Sequence, residues 1–336
     1  MKRRSLFTTL AAAALAAGLG SVAFGSAALA QNAPAIVLKS ADTHPDGYPT
    51  VEAVKFMAKL VAERSNGRIK IEMYPASTLG QEKDTIEQTR FGVIHMNRVN
   101  MAPLNNLIPE TAVPGLPFVF RSVAHMRKVM DGPIGDSILK AFEKHGMVGL
   151  AFYDSGARSI YNSKRPVTKL EDMKGLKIRV QQSDMFIALI NALGANATPM
   201  PFGEVYSGLQ TGLIDGAENN WPSFESTRHF EVAKHYSQTE HSMTPEVLVF
   251  SKMAFDKLTP ADQDIIRKAA KESVAEMRKL WEAREKSSET LVKSKGAMIT
   301  TVDKKPFIDA MKPVYDKFVK DQAQKDLLAK IQAVQD

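Results

Sequence analysis

The chain has no cysteine in 336 residues. That excludes zinc-thiolate sites, iron–sulfur clusters, cysteine nucleophiles and a disulfide framework. A small secreted domain would miss its disulfides, but about 300 residues bury enough surface to fold without them. Aromatic residues are sparse, with 2 tryptophans, and each is therefore worth tracing. After Gln31 no apolar run approaches the ~20 residues a membrane-spanning helix needs. The linear signatures of catalysis are also missing: no G-x-S-x-G elbow, no H-E-x-x-H, no phosphate-binding Walker loop, and no G-x-G-x-x-G after a strand. The 7 histidines are scattered, and no two stand at ligand spacing. Neither metal nor cofactor is expected, and binding fits the chain better than catalysis.

The first thirty residues read as a leader outside the fold. Lys2, Arg3 and Arg4 give a positive start, Leu6 to Leu29 is apolar and alanine-rich, and Ala28-Leu29-Ala30 is a small-x-small cleavage signal. Arg3-Arg4-Ser-Leu-Phe faintly resembles a twin-arginine signal, and an ordinary secretory signal is preferred; a retained anchor is the other reading. The expected address is the periplasm. The formal net charge of +7 loses three positive groups with the leader, which leaves +4 (7 − 3). The remaining Lys and Arg are interleaved with Asp and Glu, so no basic stripe for nucleic acid is present.

Length predicts about two domains. Ile36–Ser40, Ile69–Met73 and Ile94–Val99 read as strands separated by helical spacing over Val51–Val61 and Glu82–Phe91, the pattern of a parallel α/β sheet. A second α/β unit follows. Met147–Tyr153, Arg158–Asn162 and Leu176–Val180 read as strands, and Asp184–Leu193, Phe202–Thr211 and Ser223–Phe230 as helices. Near Tyr236 the chain returns toward the first unit through Val247–Phe250. Two α/β lobes joined by more than one crossing make a hinged clamshell of the periplasmic-binding type. The expected lobes are 31–155 with about 244–283, and 156–243 with about 284–336. Thr259-Pro-Ala-Asp262 opens a helix running to Lys295-Gly296, long enough at ~1.5 Å per residue to reach about 50 Å and straddle both lobes. A break near Ser287-Ser288 is the alternative.

Candidate binding residues gather at strand ends and helix starts, where ligands of α/β folds lie. In Gly175-Leu-Lys-Ile-Arg179-Val-Gln-Gln-Ser183, period-two alternation puts Arg179 at a strand end just before a helix that Ser183 is placed to cap. A guanidinium beside a helix N-terminus suits a carboxylate; a surface strand residue is the bland alternative. Arg158 sits on a second strand and can complete a clamp or serve a hinge ion pair. Asn219 is a ligand contact or a turn residue. Trp221 can stack on a sugar face or fill the core. Glu218 can accept from hydroxyls or orient an arginine. Phe202 is a cleft or core aromatic. From the first lobe come His44, Glu82, Asn97 and Asn100, with Glu82 first among them despite its plain role at a helix N-terminus.

The ordered set Ser155-Gly-Ala-Arg158, Leu170–Val180, Gly194–Tyr206 and Leu209–Asn219, with Leu79–Gln88 upstream, resembles the substrate-binding proteins of tripartite ATP-independent periplasmic (TRAP) transporters. The resemblance runs over nearly all of the chain after the leader. One departure stands out: the family's usual Pro after the Arg-Val pair is Gln181 here. The resemblance implies that Arg179 pairs with the ligand carboxylate, that Arg158 supports it, that Asn219 contacts the carboxylate or a nearby hydroxyl, and that Phe202 packs near the ligand. It also implies a monomeric, non-enzymatic receptor that hands an organic acid to separate small and large membrane subunits. Glu218-Asn-Asn-Trp221-Pro resembles family members that take hexuronates, so a sugar acid such as glucuronate, galacturonate or an aldonate is expected. A C4-dicarboxylate or 2-oxo acid is the runner-up. A periplasmic enzyme and a sensor on the same fold are the readings from other classes.

Overall fold

The computed structural model describes residues 35–335, so the expected leader lies outside the described residues. Eleven strands are present among them: β1 Ile36–Ala41, β2 Ile69–Tyr74, β3 Met96–Asn100, β4 Met147–Tyr153, β5 Arg158–Asn162, β6 Lys177–Val180, β7 Asn196–Pro199, β8 Gly216–Asn219, β9 His235–Ser242, β10 Glu246–Ser251 and β11 Met298–Thr301. They form two sheets, one ordered β2-β1-β3-β10-β4 and one ordered β11-β9-β5-β8-β6-β7, with helices packed on them. This is the expected two-lobed α/β architecture.

The sheets are mixed rather than wholly parallel. β1 runs parallel to β2 and β3, as strand–helix–strand connections require. β10 arrives from the second sheet and inserts antiparallel between β3 and β4. A strand entering from the other lobe has no crossover helix to reverse it, which is why alternation along the first hundred residues does not reveal it. The second sheet likewise holds antiparallel pairs, β5 with β8 and β5 with β9.

The helix Pro260–Ser294 is a single unbroken run of 35 residues. Thr259 caps it, its Oγ1 accepting from the Asp262 amide at 3.2 Å, and Asp262 also accepts from Arg68 at 2.7 Å. Its early turns pack on the helix Pro49–Arg64 and on β4, its later turns on the helix Trp221–Ser226, so it spans both lobes. Trp281, 2 % exposed, lies midway and anchors it. Burying a side chain of that size contributes about 2 kcal/mol or more. The helix Gln322–Ala333 lies against the helix Pro133–Ala141 of the first lobe. His125 Nε2 meets the Ile331 carbonyl there at 3.0 Å.

The chain crosses between the sheets at 154–157 and 243–245, and Gly156 shows how tightly the first crossing is held. Its φ is +60°, and a Cβ there would stand 2.7 Å from Glu285 and 3.0 Å from Trp281. Only glycine meets both demands. Asp154 is fixed beside it, accepting from Arg127 Nε at 2.7 Å and Arg278 Nε at 3.2 Å.

Two helix ends differ from their sequence reading. Ser183 stands at the N-cap of the helix Asp184–Ala192, yet its hydroxyl makes no capping hydrogen bond. The stretch 223–230 is not one helix: Asn220 caps Trp221–Ser226 by accepting from the Ser223 amide, and Arg228, at φ +59°, breaks the run before His229–Val232.

Candidate functional site: a buried cavity with one unmatched guanidinium

Between the two sheets lies a small, polar-lined cavity. The first lobe supplies Thr43 and His44 from the loop after β1, Glu82 from a helix N-terminus, Arg98 and Asn100 from β3, and Glu246 from β10. The second lobe supplies Arg158, Arg179, Gln181, Phe202, Asn219, Asn220 and Ser223. Seven of the ten sequence candidates therefore meet here: Arg179, Arg158, Asn219, Glu82, Phe202, His44 and Asn100.

Three guanidinium groups line the cavity, and their surroundings differ. Arg98 is 1 % exposed and clasped by three carboxylates: Asp42, Glu246 at 2.7 Å and Glu82 at 3.3 Å. Burial works against its charge, but Asp42 and Glu246 overcome that and hold its pKa well above the ordinary arginine value. Arg158 pairs with Glu218, Nε to Oε2 at 2.6 Å and Nη2 to Oε1 at 2.8 Å. It also donates to the Glu218 carbonyl at 2.8 Å and to Asn219 Oδ1 at 2.9 Å. Those contacts occupy all but one of its N–H groups.

Arg179 is different. It is 3 % exposed, and among the described residues its side chain makes one hydrogen bond, from Nε to the Met200 carbonyl at 2.9 Å. No carboxylate of the described residues pairs with it. Burial accordingly brings its pKa down to about 10, with Glu218 and Tyr161 only partly opposing the shift. It lines the cavity, and its two terminal nitrogens make no hydrogen bond among the described residues, which makes it the unmatched cation of the site.

The acceptors are equally specific. Burial raises the Glu82 carboxyl to about 7, with Arg98 pulling it down and Glu246 pushing it up. It accepts from the Asn100 amide at 2.8 Å. Asn100 donates in turn to Glu246 at 3.1 Å, the residue directly opposite it in the β3–β10 register. His44 is held neutral, its pKa lowered well below the usual value by burial and then by Arg98 and Arg158. Its ring stacks on Tyr48 at 3.8 Å and meets the edge of Phe202 at 5.2 Å, leaving Nδ1 without a hydrogen-bond partner among the described residues.

The other three candidates lie elsewhere. Glu218 is wholly buried behind Arg158, where burial would raise its carboxyl but Arg158 and His241 hold it at about 2; it orients the arginine. Trp221 stacks on Tyr236 at 3.8 Å within an aromatic core with Tyr161, Phe224 and Phe230, so its face is not offered to the cavity. Asn97 is buried on β3 one residue from Arg98, and alternate strand residues face opposite sides. That parity was the available signal for Arg98: Asn100 shares its face, Asn97 does not. Asp42, Thr43, Gln181, Asn220, Ser223 and Glu246 were also unforeseen. Glu246 becomes visible only once β10 is known to lie beside β3.

The two lobes touch across the cavity. Tyr48 Oη lies 3.0 Å from Ser223 Oγ, and Gln81 Oε1 accepts from the Gly203 amide at 3.2 Å. A small molecule inside is therefore enclosed by groups from both halves, with one cation for an anionic end and carboxylate, amide and imidazole groups for hydroxyls.

The sequence model of bacterial extracellular solute-binding proteins, family 7, matches residues 40–322. A solute-binding protein of Chromohalobacter salexigens is 39% identical over 328 residues, covering 97% of this chain and 96% of its own. A TRAP periplasmic solute-binding protein from Bradyrhizobium, solved in complex with D-galacturonate, is 58% identical with a TM-score of 0.87, over 88% of this chain and 99% of its own. One from Pseudomonas putida, solved with bound D-glucuronate, is 45% identical with a TM-score of 0.87, over 90% of this chain and 98% of its own.

Proposed function

The chain belongs to the bacterial extracellular solute-binding proteins of family 7, a family of receptors rather than enzymes, and we propose on that footing that it is the periplasmic receptor of a TRAP transporter for a hexuronate. The observation that carries the reading is Arg179: a buried guanidinium without a carboxylate, facing a cavity between two lobes. A ligand carboxylate supplies the missing charge through a two-pronged pair. The sugar hydroxyls then donate to Glu82, Glu246 and neutral His44.

Charge matching separates this reading from a dicarboxylate. Arg98 and Arg158 already hold carboxylates of the protein. A second ligand carboxylate would face Glu82 and Glu246 with no free cation to receive it, and an unpaired buried charge is costly. The galacturonate and glucuronate in the similar receptors favour the same choice.

Binding closes the clamshell because the ligand touches both halves and so stabilises the closed form over the open one. The moving halves are 36–155 with 244–283, and 156–243 with 284–321, the helix Gln322–Ala333 riding on the first. The mature receptor acts as a monomer, exported by its leader, and passes the acid to small and large membrane subunits. Calorimetric titration with D-galacturonate, D-glucuronate, succinate and malate tests the substrate. Heat with a uronate and none with the dicarboxylates is expected; the reverse overturns the assignment.

A further inference from the structure

Gln181 lines the cavity, is 8 % exposed, and its side-chain Oε1 is buried with no hydrogen-bond partner among the described residues. A buried amide oxygen without a partner is uncommon, because it has lost water and gained nothing. Its place sharpens the point. Gln181 stands one residue past the end of β6 and two beyond Arg179, and both line the same cavity. Cα atoms two residues apart stand at most about 7 Å from each other, roughly the width of a sugar ring.

We propose that Gln181 is a specificity-determining residue: its amide accepts a hydrogen bond from the sugar hydroxyl nearest the carboxylate that Arg179 holds. The inference rests on the hexuronate reading. In a pyranuronate the carbon bearing the carboxylate is flanked by the ring oxygen and by C4. Only the C4 hydroxyl, of these two neighbours, donates a hydrogen to the amide oxygen. Galacturonate and glucuronate differ in the direction of that hydroxyl alone, so a fixed amide beside it distinguishes the two. A carboxylate at this position would repel the ligand's acid end, and a neutral acceptor avoids that conflict.

The test compares wild-type protein with Gln181→Met, which keeps the length of the side chain and removes the amide. Each is titrated calorimetrically with D-galacturonate, D-glucuronate and a 4-deoxyhexuronate. The wild type is expected to prefer one epimer. Gln181→Met is expected to lose ~10- to 100-fold in affinity for that epimer, the scale of one buried hydrogen bond, while binding the 4-deoxy acid as the wild type does. Equal affinities of the two proteins for both uronates overturn the proposal, as does an equal loss for the 4-deoxy acid. Should Gln181→Met fail to fold, Gln181→Leu carries the same comparison. A wild-type protein that binds neither uronate instead overturns the hexuronate reading, and this inference with it.

Discussion

Arg158 and Glu218 face each other across β5 and β8 as a fully buried, two-pronged ion pair, at 2.6 and 2.8 Å. Neither reaches solvent, and the pair sets the floor from which Asn219 and Arg158 meet the cavity. Removing one partner of such a pair strands the other in a dry interior, which costs about 3–5 kcal/mol. Glu218→Gln is therefore expected to lower the midpoint of thermal unfolding markedly and to weaken uronate binding. Glu218→Ala is expected to do both more strongly. The pH signature has a definite sign. The carboxyl sits at about 2 in the folded protein, below its ordinary value near 4.5, so its contribution is full above pH ~4.5 and is lost as pH falls toward 2. Urea unfolding of wild type and Glu218→Gln between pH 2.5 and 6 checks this, with convergence of the two at the acid end expected.

Arg179 is the opposite case, a buried cation that no carboxylate of the described residues pairs with. Arg179→Met is expected to abolish uronate binding and to leave the unliganded protein as stable as before or more so, because the mutation removes a desolvated charge rather than half of a pair. Arg179→Lys keeps the charge but loses the planar fork, and a loss of about 100-fold is expected. Calorimetry for binding and circular dichroism for unfolding separate the two effects. A collapse of the Arg179→Met fold would mark the residue as structural.

What the sequence disclosed of this site followed from local pattern. Arg179 was legible because Leu176, Ile178 and Val180 alternate with it, and Arg158 because it opens a strand. Asn97 and Trp221 were misplaced for different reasons. Asn97 shares a strand with Arg98 and Asn100 but has the wrong parity, and Trp221 meets Tyr236, a partner fifteen residues on that only β9 brings close. β7, β8, β9 and β11 were not foreseen, because segments such as Gly216-Ala-Glu-Asn219 carry no β-branched residue and gain their strand geometry from neighbours. The long helix was legible from end to end, since its cap and period are both local.

Glu82 gives the site a second pH dependence, with the other sign. Burial raises its carboxyl to about 7, above its ordinary value near 4.5, while Arg98, Glu246 and Asp42 of its own lobe and Arg179 of the other face it. A raised carboxyl binds its proton more tightly folded than unfolded. Its contribution to stability is full below pH ~4.5 and is lost as pH rises through 7. Unfolding free energy of the unliganded protein is expected to decline across pH 5–8, and Glu82→Gln is expected to remove that decline by keeping a neutral group in place. Denaturant titrations at pH 5, 6, 7 and 8 measure it, and parallel slopes for the two proteins would contradict it.

The rim contact between Gln81 and Gly203 addresses how long a ligand stays. Gln81 precedes the helix Glu82–Arg90 of the first lobe, Gly203 follows Phe202 in the second, and the Gly203 amide donates to Gln81 at 3.2 Å, beside the cavity-lining Glu82 and Phe202. A contact made only when the halves are together stabilises the closed form without touching the ligand, so it slows release more than it speeds capture. A Cβ at residue 203 would stand 2.7 Å from the end of the Gln81 side chain, a flexible group that can swing away. Gly203→Ala and Gln81→Ala are thus expected to behave alike: dissociation faster by about 3- to 10-fold, the scale of one exposed hydrogen bond, with association nearly unchanged. The two tryptophans give the readout, since Trp281 lies under the crossing between lobes and Trp221 in the second lobe. Stopped-flow fluorescence on mixing with uronate separates the rates. A loss confined to association in both variants would mean that the contact guides the ligand in rather than holding the halves closed.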